Sequence, residues 1–411
     1  MGAAGYAFPA ETRVRSVRGG GDRRAEERMA VREIGIVMNG VTGRMGYNQH
    51  LVRSILAIRA QGGVVMADGT RVVPDPILVG RSEQKLRDIA DRHDLTRWTT
   101  DLDTALSDSS ALIYFDAQAT RLREKSVLAA IAAGKHIYCE KPIADSLLGS
   151  LELARAARDA GARNGVVMDK VFLPGLRKLR RLVDSGFFGR ILSIRGEFGY
   201  WVFEGDWQPA QRPSWNYRAE EGGGITLDMF CHWNYVLEDI AGPVKAVTAR
   251  SVTHIPRRWD EQGKPYDGTA DDAAYAIFEL EGGVIAQLNS SWCVRVYRDE
   301  LVEFQVDGTE GSAVAGLRNC RIQHRATTPK AVWNPDLPAT EQFRDQWQIV
   351  PDNAEFDNGF KSEWEQFLRH CFDDTPFAYD FLAAARGVQL AELGRRSSDE
   401  GRRIELPEVG L

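Results

Sequence analysis

Residues 34–46 read IGIVMNGVTGRMG, and this stretch decides the fold. It opens with an apolar run typical of a buried strand, and a helical pattern begins at about residue 48. Gly40, Gly43 and Gly46 lie between the two with the spacing G-x-x-G-x-x-G. In dinucleotide-binding turns such glycines permit a tight turn, close approach of the pyrophosphate, and packing of helix on strand. The stretch therefore predicts a Rossmann-type cofactor site.

Strands and helices alternate from this stretch to about residue 170. Strands separated by helices predict a parallel, doubly wound sheet. A small hairpin with Asp68-Gly69 as its turn is predicted for residues 62–75. The predicted strands are 34–38, 77–79, 112–115, 136–139 and 165–168, and the predicted helices are 48–60, 83–92, 121–133 and 146–160.

Beyond residue 172 long alternating runs predict a different sheet. Residues 281–283, EGG, are a hairpin signal between two of the runs, so the sheet should be large, open and mostly antiparallel. Helices are predicted at 174–185 and 381–397. The predicted strands are 190–200, 244–254, 273–280, 284–294, 301–306 and 312–315.

The predicted organisation is α/β, with two domains of unequal size. Residues 31–171 form the Rossmann-type domain, and residues 172–411 form an α/β domain for substrate binding and oligomerisation. Residues 1–30 are interpreted as a disordered leader, because six arginines surround Gly19-Gly20-Gly21 in its first 28 residues without apolar periodicity. Met29 is a candidate for the true start.

The composition argues against a nucleic-acid-binding protein and against a membrane protein. A formal charge of −6 offers no basic surface for nucleic acid or for a membrane, and no apolar run is long enough to span a bilayer. The five cysteines are widely spaced and form no CxxC pair. This usage favours free thiols in the reducing cytoplasm.

The residue after the second predicted strand bears on the choice of cofactor, which is NADP or NAD. Gly80 stands where an NAD enzyme usually has an acid for the ribose, and Arg81 with Ser82 could receive a 2′-phosphate. Alternatively Arg81 stacks on the adenine and Glu83 serves the ribose; the sequence favours NADP. The predicted cofactor-binding residues are Gly40, Thr42, Gly43, Arg44, Met45, Gly46, Arg81, Ser82, Asp116, Gln118, Glu140 and Lys141.

Two further motifs carry the chemistry. CEKP, residues 139–142, places Lys141 just past a strand, where ligands of a parallel sheet bind. GGG-x-x-x-D-x-x-x-H, residues 222–232, stacks Asp228 and His232 on one helix face. A histidine is a natural proton acceptor for an alcohol that loses hydride. An ordinary helix with a glycine-rich entry is the alternative, and a metal site lacks a third ligand at a suggestive spacing, so no metal is predicted.

With these motifs the chain resembles the glucose–fructose oxidoreductase / inositol dehydrogenase / rhizopine-catabolism (Gfo/Idh/MocA) family from residue 34 to residue 407. The resemblance implies a Rossmann domain followed by a domain whose open sheet often forms the oligomer interface. It places Lys141 beside the nicotinamide as proton relay or hydroxyl-orienting group, His232 as acid/base, and Asp228 as substrate ligand. The family's T-P-x-x-x-H-like segment after the fourth strand is replaced by residues 116–120, DAQAT, with Arg123 near the histidine position.

The predicted substrate is a neutral sugar, cyclitol or glycoside. Aromatic residues and arginines are dense between residues 200 and 218, and aromatic faces stack on the C–H faces of sugar rings. A packed lid or a subunit contact would explain the same residues. The predicted substrate-binding residues are Lys170, Trp201, Trp215, Tyr217, Arg218, Asp228 and His232.

The sequence therefore predicts an enzyme that moves hydride between NAD(P) and a secondary alcohol or ketone. It is expected to form a homodimer or homotetramer through the C-terminal sheet. A redox-neutral enzyme that retains its cofactor, as in glycoside cleavage, and a cofactor-sensing regulator are the alternatives. The joint presence of Lys141, Asp228 and His232 favours catalysis over regulation.

Overall fold

A computed structural model describes residues 30–201, 203–210, 212–295, 300–330, 334, 336–338 and 343–411. Residues 1–29 lie outside the described residues. The predicted leader, with its candidate start at Met29, falls almost entirely within that segment.

The first sheet has seven strands in the order β2-β3-β1-β5-β6-β7, with β4 beside β3. All pairs are parallel except β2 with β3, which form the predicted hairpin. The central strands are apolar and buried, as expected for a sheet covered on both faces. Its strands are β1 (Val31–Asn39), β2 (Val64–Val65), β3 (Arg71–Val79), β4 (Trp98–Thr99), β5 (Ala111–Asp116), β6 (His136–Cys139) and β7 (Asn164–Val166).

Five helices connect these strands. The first, α1, has π-helical hydrogen bonding over Met45–Leu56 and α-helical bonding over Ala57–Ala60. Side-chain caps begin three of the others, where a serine or aspartate oxygen accepts a backbone N–H of the first turn. These helices are α2 (Glu83–Arg92), α3 (Leu102–Ser107), α4 (Thr120–Ala132) and α5 (Leu147–Asp159).

The second sheet has nine strands in the order β17-β16-β15-β14-β8-β13-β12-β9-β18. Only the pair β8–β13 is parallel. β10 (Arg257–Trp259) and β11 (Pro265–Asp267) form a separate hairpin. The nine strands are β8 (Ile191–Gly199), β9 (Val244–Val252), β12 (Ala273–Leu280), β13 (Ile285–Ser291), β14 (Val302–Gly308), β15 (Gly311–Ala315), β16 (Cys320–His324), β17 (Gln348–Ile349) and β18 (Ile404–Glu405).

Helices cover one face of this sheet and leave the other open. The helices that follow the first domain are α6 (Pro174–Asp184), α7 (Ile225–Ala241), α8 (Gly359–Asp373) and α9 (Phe381–Glu400). Residues of α7 and α9 share a buried core with alternate residues of the strands. On the opposite face Tyr275, Ile277 and Ile285 are 41%, 46% and 44% exposed. The predicted fold class is therefore confirmed.

Helix α8 was not predicted, and it does not pack with the second sheet. Its residues Trp364, Phe367 and Leu368 lie in a core cluster with apolar residues of α1 and of the parallel sheet. A segment beyond residue 172 thus completes the core of the Rossmann-type domain. The domain boundary between residues 171 and 172 otherwise stays a prediction.

Several predicted bounds agree with the structure, and others were too short. Residues 83–92, 136–139 and 273–280 form the predicted elements. Strand β3 begins six residues earlier than the predicted 77–79, because it carries Pro74 and Pro76, which argue against a central strand from sequence alone. Strands β16 and β17 were missed, since they are five and two residues long and thus too short for a clear periodic pattern.

Candidate active site

The glycine-rich turn joins β1 to α1 at the carboxyl edge of the parallel sheet. Gly40 has a φ of +82°, and a Cβ there would lie 2.7 Å from the carbonyl carbon of Ala117. A Cβ on Gly46 would lie 2.6 Å from the Gly40 carbonyl oxygen. Gly43 is exposed, and its N–H donates to the Gly40 carbonyl at 3.0 Å. Side chains at Gly40 and Gly46 are thus excluded by backbone, while the helix N-terminus stays open to a phosphate.

The turn after β3 lies against this glycine-rich turn. A Cβ on Gly80 would approach the Thr42 methyl group to 3.1 Å, so glycine allows the two turns to meet. Arg81 follows directly and is exposed. The Ser82 hydroxyl accepts the N–H of Lys85 at 3.4 Å and caps α2, and Glu83 pairs with Arg87 at 2.7 Å.

The Asp116 carboxylate belongs to the framework of the site, since protein groups occupy both of its oxygens. It is fully buried, and its Oδ1 accepts from Arg123 Nε at 3.1 Å and from the Gln118 N–H at 3.0 Å. Its Oδ2 accepts from the Tyr114 hydroxyl at 2.6 Å. Arg123 also donates to the Pro142 carbonyl, so it ties the loop after β5 to the CEKP turn. The Gln118 side chain accepts from Ser126.

Lys141 and Asp228 meet across the cleft between the CEKP turn and α7. The Lys141 ammonium donates to Asp228 Oδ1, and it lies 3.4 Å from the Asp228 carbonyl oxygen. The second carboxylate oxygen of Asp228 pairs with Arg212 Nη2 at 3.3 Å. Burial disfavours the Asp228 carboxylate, but Lys141 and Arg212 outweigh it and lower the pKa of Asp228 well below its ordinary value. Burial likewise opposes the charge of Lys141, yet Asp228 raises the pKa of Lys141.

The glycine motif sets where α7 begins. Gly224 has a φ of +120°, and a Cβ there would lie 2.6 Å from an Asp271 carboxylate oxygen. That carboxylate accepts the Thr226 N–H at 2.7 Å and satisfies the first turn of the helix. Asp228 therefore lies in the first turn, and His232 lies one turn further along the same face.

His232 is buried among groups of three elements. Its Nδ1 lies 2.5 Å from the Tyr235 hydroxyl and 3.9 Å from Asp169 Oδ1. The Tyr235 hydroxyl also accepts the Lys170 N–H at 3.2 Å, and Lys170 Nζ pairs with Asp169 Oδ2 at 2.8 Å. Burial, followed by the positive charges of Lys141, Lys170 and Arg212, holds the pKa of His232 well below its ordinary value. The imidazole is consequently neutral at neutral pH.

Arg212 is the main contribution of the aromatic segment to this cluster. Its Nε donates to the Tyr200 hydroxyl at 2.8 Å, its Nη1 donates to Asn216 at 3.1 Å, and its guanidinium lies 4.1 Å from the Trp292 ring centroid. Arg212 was noted in the sequence but not selected as a site residue. Asp169, Tyr235 and Trp292 were missed, because only the fold brings their separate elements together.

Three residues predicted to bind substrate contact groups other than Lys141, Asp228 and His232. Tyr217 is fully buried, and the Arg258 guanidinium carbon lies 3.8 Å from its ring centroid. Arg218 stacks on the Tyr266 ring and forms an ion pair with Glu221. Trp201 lines a separate cavity of about 530 Å³ together with His254, Tyr275 and Cys293. Trp215 is 44% exposed. The contacts of Tyr217 and Arg218 are with other protein side chains, and a role of Trp201, Tyr217 and Arg218 in substrate binding stays a prediction.

The described residues contain no group of three or more His, Cys, Asp or Glu side chains arranged to hold a metal ion. Within the same part of the chain, no helix is both long and apolar enough to cross a membrane. Positive charge and a neutral histidine, held at the carboxyl edge of a sheet with a nucleotide turn, suit removal of a proton from an alcohol whose hydride leaves to a cofactor.

Comparisons with known proteins show which family the chain resembles. A family model described as an oxidoreductase family with an NAD-binding Rossmann fold matches residues 35–168, and a GFO/IDH/MocA C-terminal domain matches residues 176–314. The D-xylose dehydrogenase of Paenarthrobacter nicotinovorans is 64% identical over 380 residues, which cover 92% of this chain and 98% of that protein. The 1,5-anhydro-D-fructose reductase of Ensifer adhaerens is 28% identical over 272 residues, or 65% of this chain and 72% of the relative.

Solved structures show the same fold. Levoglucosan dehydrogenase in complex with NADH and levoglucosan has a TM-score of 0.76 at 19% identity, and the match covers 92% of this chain and 100% of that one. Two family models match residues 35–168 and 176–314, and a relative that is 64% identical aligns along 98% of its own length, so the chain belongs to the Gfo/Idh/MocA family of NAD-binding oxidoreductases.

Proposed function

We propose that this oxidoreductase is a sugar dehydrogenase that oxidises a hydroxyl-bearing ring carbon of D-xylose or a closely similar aldose. The observation that carries the proposal is the convergence of Lys141, Asp228 and His232 in a chain 64% identical to a D-xylose dehydrogenase along 98% of that protein. A regulator would not need an ammonium group and a neutral imidazole in one cleft.

The residues divide the proton chemistry between them. Because the pKa of His232 is lowered, its imidazole is neutral and can accept the hydroxyl proton, while the hydrogen bond between Nδ1 and the Tyr235 hydroxyl orients the ring. The carboxylate of Asp169 lies 3.9 Å from Nδ1 and stabilises the imidazolium that results. Lys141 stays protonated and donates a hydrogen bond to the sugar oxygen. A bound nicotinamide supplies the hydride acceptor.

Gly40, Gly43 and Gly46 would hold the pyrophosphate at the start of α1, and Glu140 and Lys141 would border the nicotinamide. Asp228 keeps Lys141 and Arg212 in place, and its partly exposed carboxylate can also accept a hydrogen bond from a sugar hydroxyl. Trp215 and Lys170 remain candidates for sugar contacts.

The exposed Arg81 supports a preference for NADP. No carboxylate follows β3 directly, and Gly80 brings Arg81 close to the glycine-rich turn. A guanidinium there can pair with a 2′-phosphate, and the exposed Arg44 adds positive charge at the same end of the turn. Ser82 is a weaker candidate, because its hydroxyl already caps α2.

The open face of the second sheet is the proposed subunit interface of a homodimer or homotetramer. Tyr275, Ile277 and Ile285 expose apolar surface on neighbouring strands, and an unpartnered apolar sheet face of this kind favours association. Ile277→Asp should yield a monomer in light scattering, whereas Leu148→Asp, at an exposed leucine outside this face, should not. A wild-type protein that is already monomeric would contradict this assignment.

A cytoplasmic location is proposed from the thiols. All five cysteines, each within the described residues, are free, and free thiols persist where glutathione keeps them reduced.

The proposed reaction is tested by incubating the purified chain with aldoses, cyclitols and glycosides in the presence of NAD or NADP. We expect D-xylose to produce reduced nicotinamide, read by its absorbance, with the highest kcat/KM of the panel. Stoichiometric accumulation of the reduced cofactor distinguishes a dehydrogenase from a redox-neutral enzyme that retains it. Absence of turnover with every sugar in both directions would overturn the proposal.

A further inference from the structure

Helix α8 extends into the wall of the candidate active site with two consecutive buried side chains. Glu363 Oε1 accepts the N–H of Met168, which begins the loop carrying Asp169 and Lys170, at 2.8 Å. Trp364 Nε1 donates to His50 Nδ1 at 3.0 Å. The helix lies outside both segments that match the family models, residues 35–168 and 176–314.

The contact of Trp364 determines the protonation of His50. An indole N–H can only donate, so His50 Nδ1 must be an acceptor and carries no proton. The proton of the neutral ring is therefore on Nε2, which donates to Glu140 Oε1 at 2.9 Å. His50 is completely buried, with the rings of Phe115 and Phe360 against it at centroid distances of 4.3 and 5.3 Å. These rings hold the plane of the imidazole, and its two nitrogens meet Trp364 and Glu140.

The chain of hydrogen bonds ends at the backbone of the catalytic lysine. Glu140 is buried, and its Oε2 accepts the N–H of Lys141 at 3.2 Å, while its own N–H donates to the Asp116 carbonyl at 2.8 Å. Without the proton of His50, the buried carboxylate would lose a charge-assisted hydrogen bond and would turn to find another donor. Such a turn would move the Lys141 backbone, and with it the ammonium group.

We propose that His50 and Trp364 are positioning residues, which hold Glu140 and thereby set the place of Lys141 in the cleft. Since His50 belongs to α1 and Trp364 to α8, the chain also couples the nucleotide-binding helix to the lysine that acts on the substrate. The kinetic part of this inference rests on the proposed dehydrogenase function; the tautomer of His50 does not.

The first test is the protonation state of His50 in the full-length wild-type protein, measured by nitrogen NMR of labelled histidine. We expect Nε2 to carry the proton and Nδ1 to be unprotonated. A protonated Nδ1 in the neutral ring would overturn the inference, whether or not the protein oxidises sugars.

The second test compares two tryptophan variants. Trp364→Phe keeps a ring and removes only the N–H, and it should lower kcat between about tenfold and a hundredfold while the Kd for NAD(P)H stays near the wild-type value. Trp233→Phe is the matched control, because buried Trp233 also donates one indole hydrogen bond, to Ser290 at 2.9 Å. Trp233→Phe should lower the thermal stability by about as much as Trp364→Phe does, but it should leave kcat near the wild-type value. Equal kinetics for the two variants would overturn the proposal.

A pair of His50 variants separates the hydrogen bond from packing. His50→Gln retains a donor for Glu140, whereas His50→Leu fills the space without one, so the glutamine variant should keep the larger share of kcat. Equal activity of the two folded variants would contradict a positioning role. Should either variant fail to fold, the NMR measurement and Trp364→Phe still decide the inference.

Discussion

The ammonium group of Lys141 and the carboxylate of Asp228 form an ion pair, although 87 residues separate them in the chain. Arg212 binds the other carboxylate oxygen at 3.3 Å, so Asp228 lies between two cations. This arrangement keeps Lys141 charged, because the attraction to Asp228 outweighs the effect of burial on the pKa of Lys141. We therefore propose that the neutral His232, and not the charged Lys141, takes the substrate proton.

His232 should control the acidic limb of the pH profile for sugar oxidation. A mildly perturbed histidine would place this limb at about pH 6 to 8. Because burial and three neighbouring cations lower the pKa of His232, the limb should instead lie below the ordinary histidine value. The rate should rise with pH as the imidazole loses its proton, and it should be flat through neutral pH.

The measurement is kcat/KM against pH for the wild type and His232→Asn, which keeps approximate size but cannot accept the proton. The variant should lose about a hundredfold or more in kcat, and its residual activity should lack the limb. An unchanged limb in a variant that still turns over would move the base to another residue.

Lys141→Ala should reduce kcat by about a hundredfold or more, the scale of one positioned proton-transfer or hydrogen-bonding group. The Kd for the reduced cofactor, measured by fluorescence, should change little, because the glycine-rich turn binds the pyrophosphate independently of this side chain. Near wild-type turnover of the alanine variant would remove Lys141 from the mechanism.

Asp228→Asn should raise KM for the sugar and also lower kcat. The amide keeps the shape of the carboxylate but removes its charge, so Lys141 and Arg212 lose their common partner. The steady-state constants for D-xylose provide the measurement. A rise in KM alone, with kcat unchanged, would mean that Asp228 only binds substrate and does not hold Lys141.

Arg81→Ala should weaken the binding of NADP by about tenfold or more and leave the binding of NAD nearly unaffected. Only NADP offers a 2′-phosphate to the guanidinium. Arg87→Ala is the control: this arginine is also exposed on the same helix region, but it is paired with Glu83. The ratio of kcat/KM for the two cofactors is the quantity to compare. Equal losses for NADP and NAD would indicate that Arg81 only stacks on the adenine.

Local patterns predicted the parts of the site that each lie within one element. The spacing of Gly40, Gly43 and Gly46 follows from the backbone approaches that the turn requires, and the i, i+4 spacing of Asp228 and His232 follows from helix geometry. Composition was a weaker guide. The aromatic segment suggested Trp201 and Tyr217 as substrate contacts, but a run of aromatic residues does not indicate which face of the chain each ring occupies.

By itself the sequence determined the fold class and the glycine-rich turn, and it proposed Lys141, Asp228 and His232 as site residues. The fold class and the turn depend on short-range periodicity and on backbone conformations that only glycine adopts easily. The tertiary structure alone decided the partners: Arg212 for Asp228, Tyr235 and Asp169 for His232, and Trp364 for His50. Trp364 is 314 residues from His50 in the chain. Contacts between residues so far apart in the chain depend on how the elements pack, and they leave no periodic pattern in the sequence. The burial and the neighbouring charges that result shift the pKa values of Lys141, Asp228 and His232, on which the proposed chemistry depends.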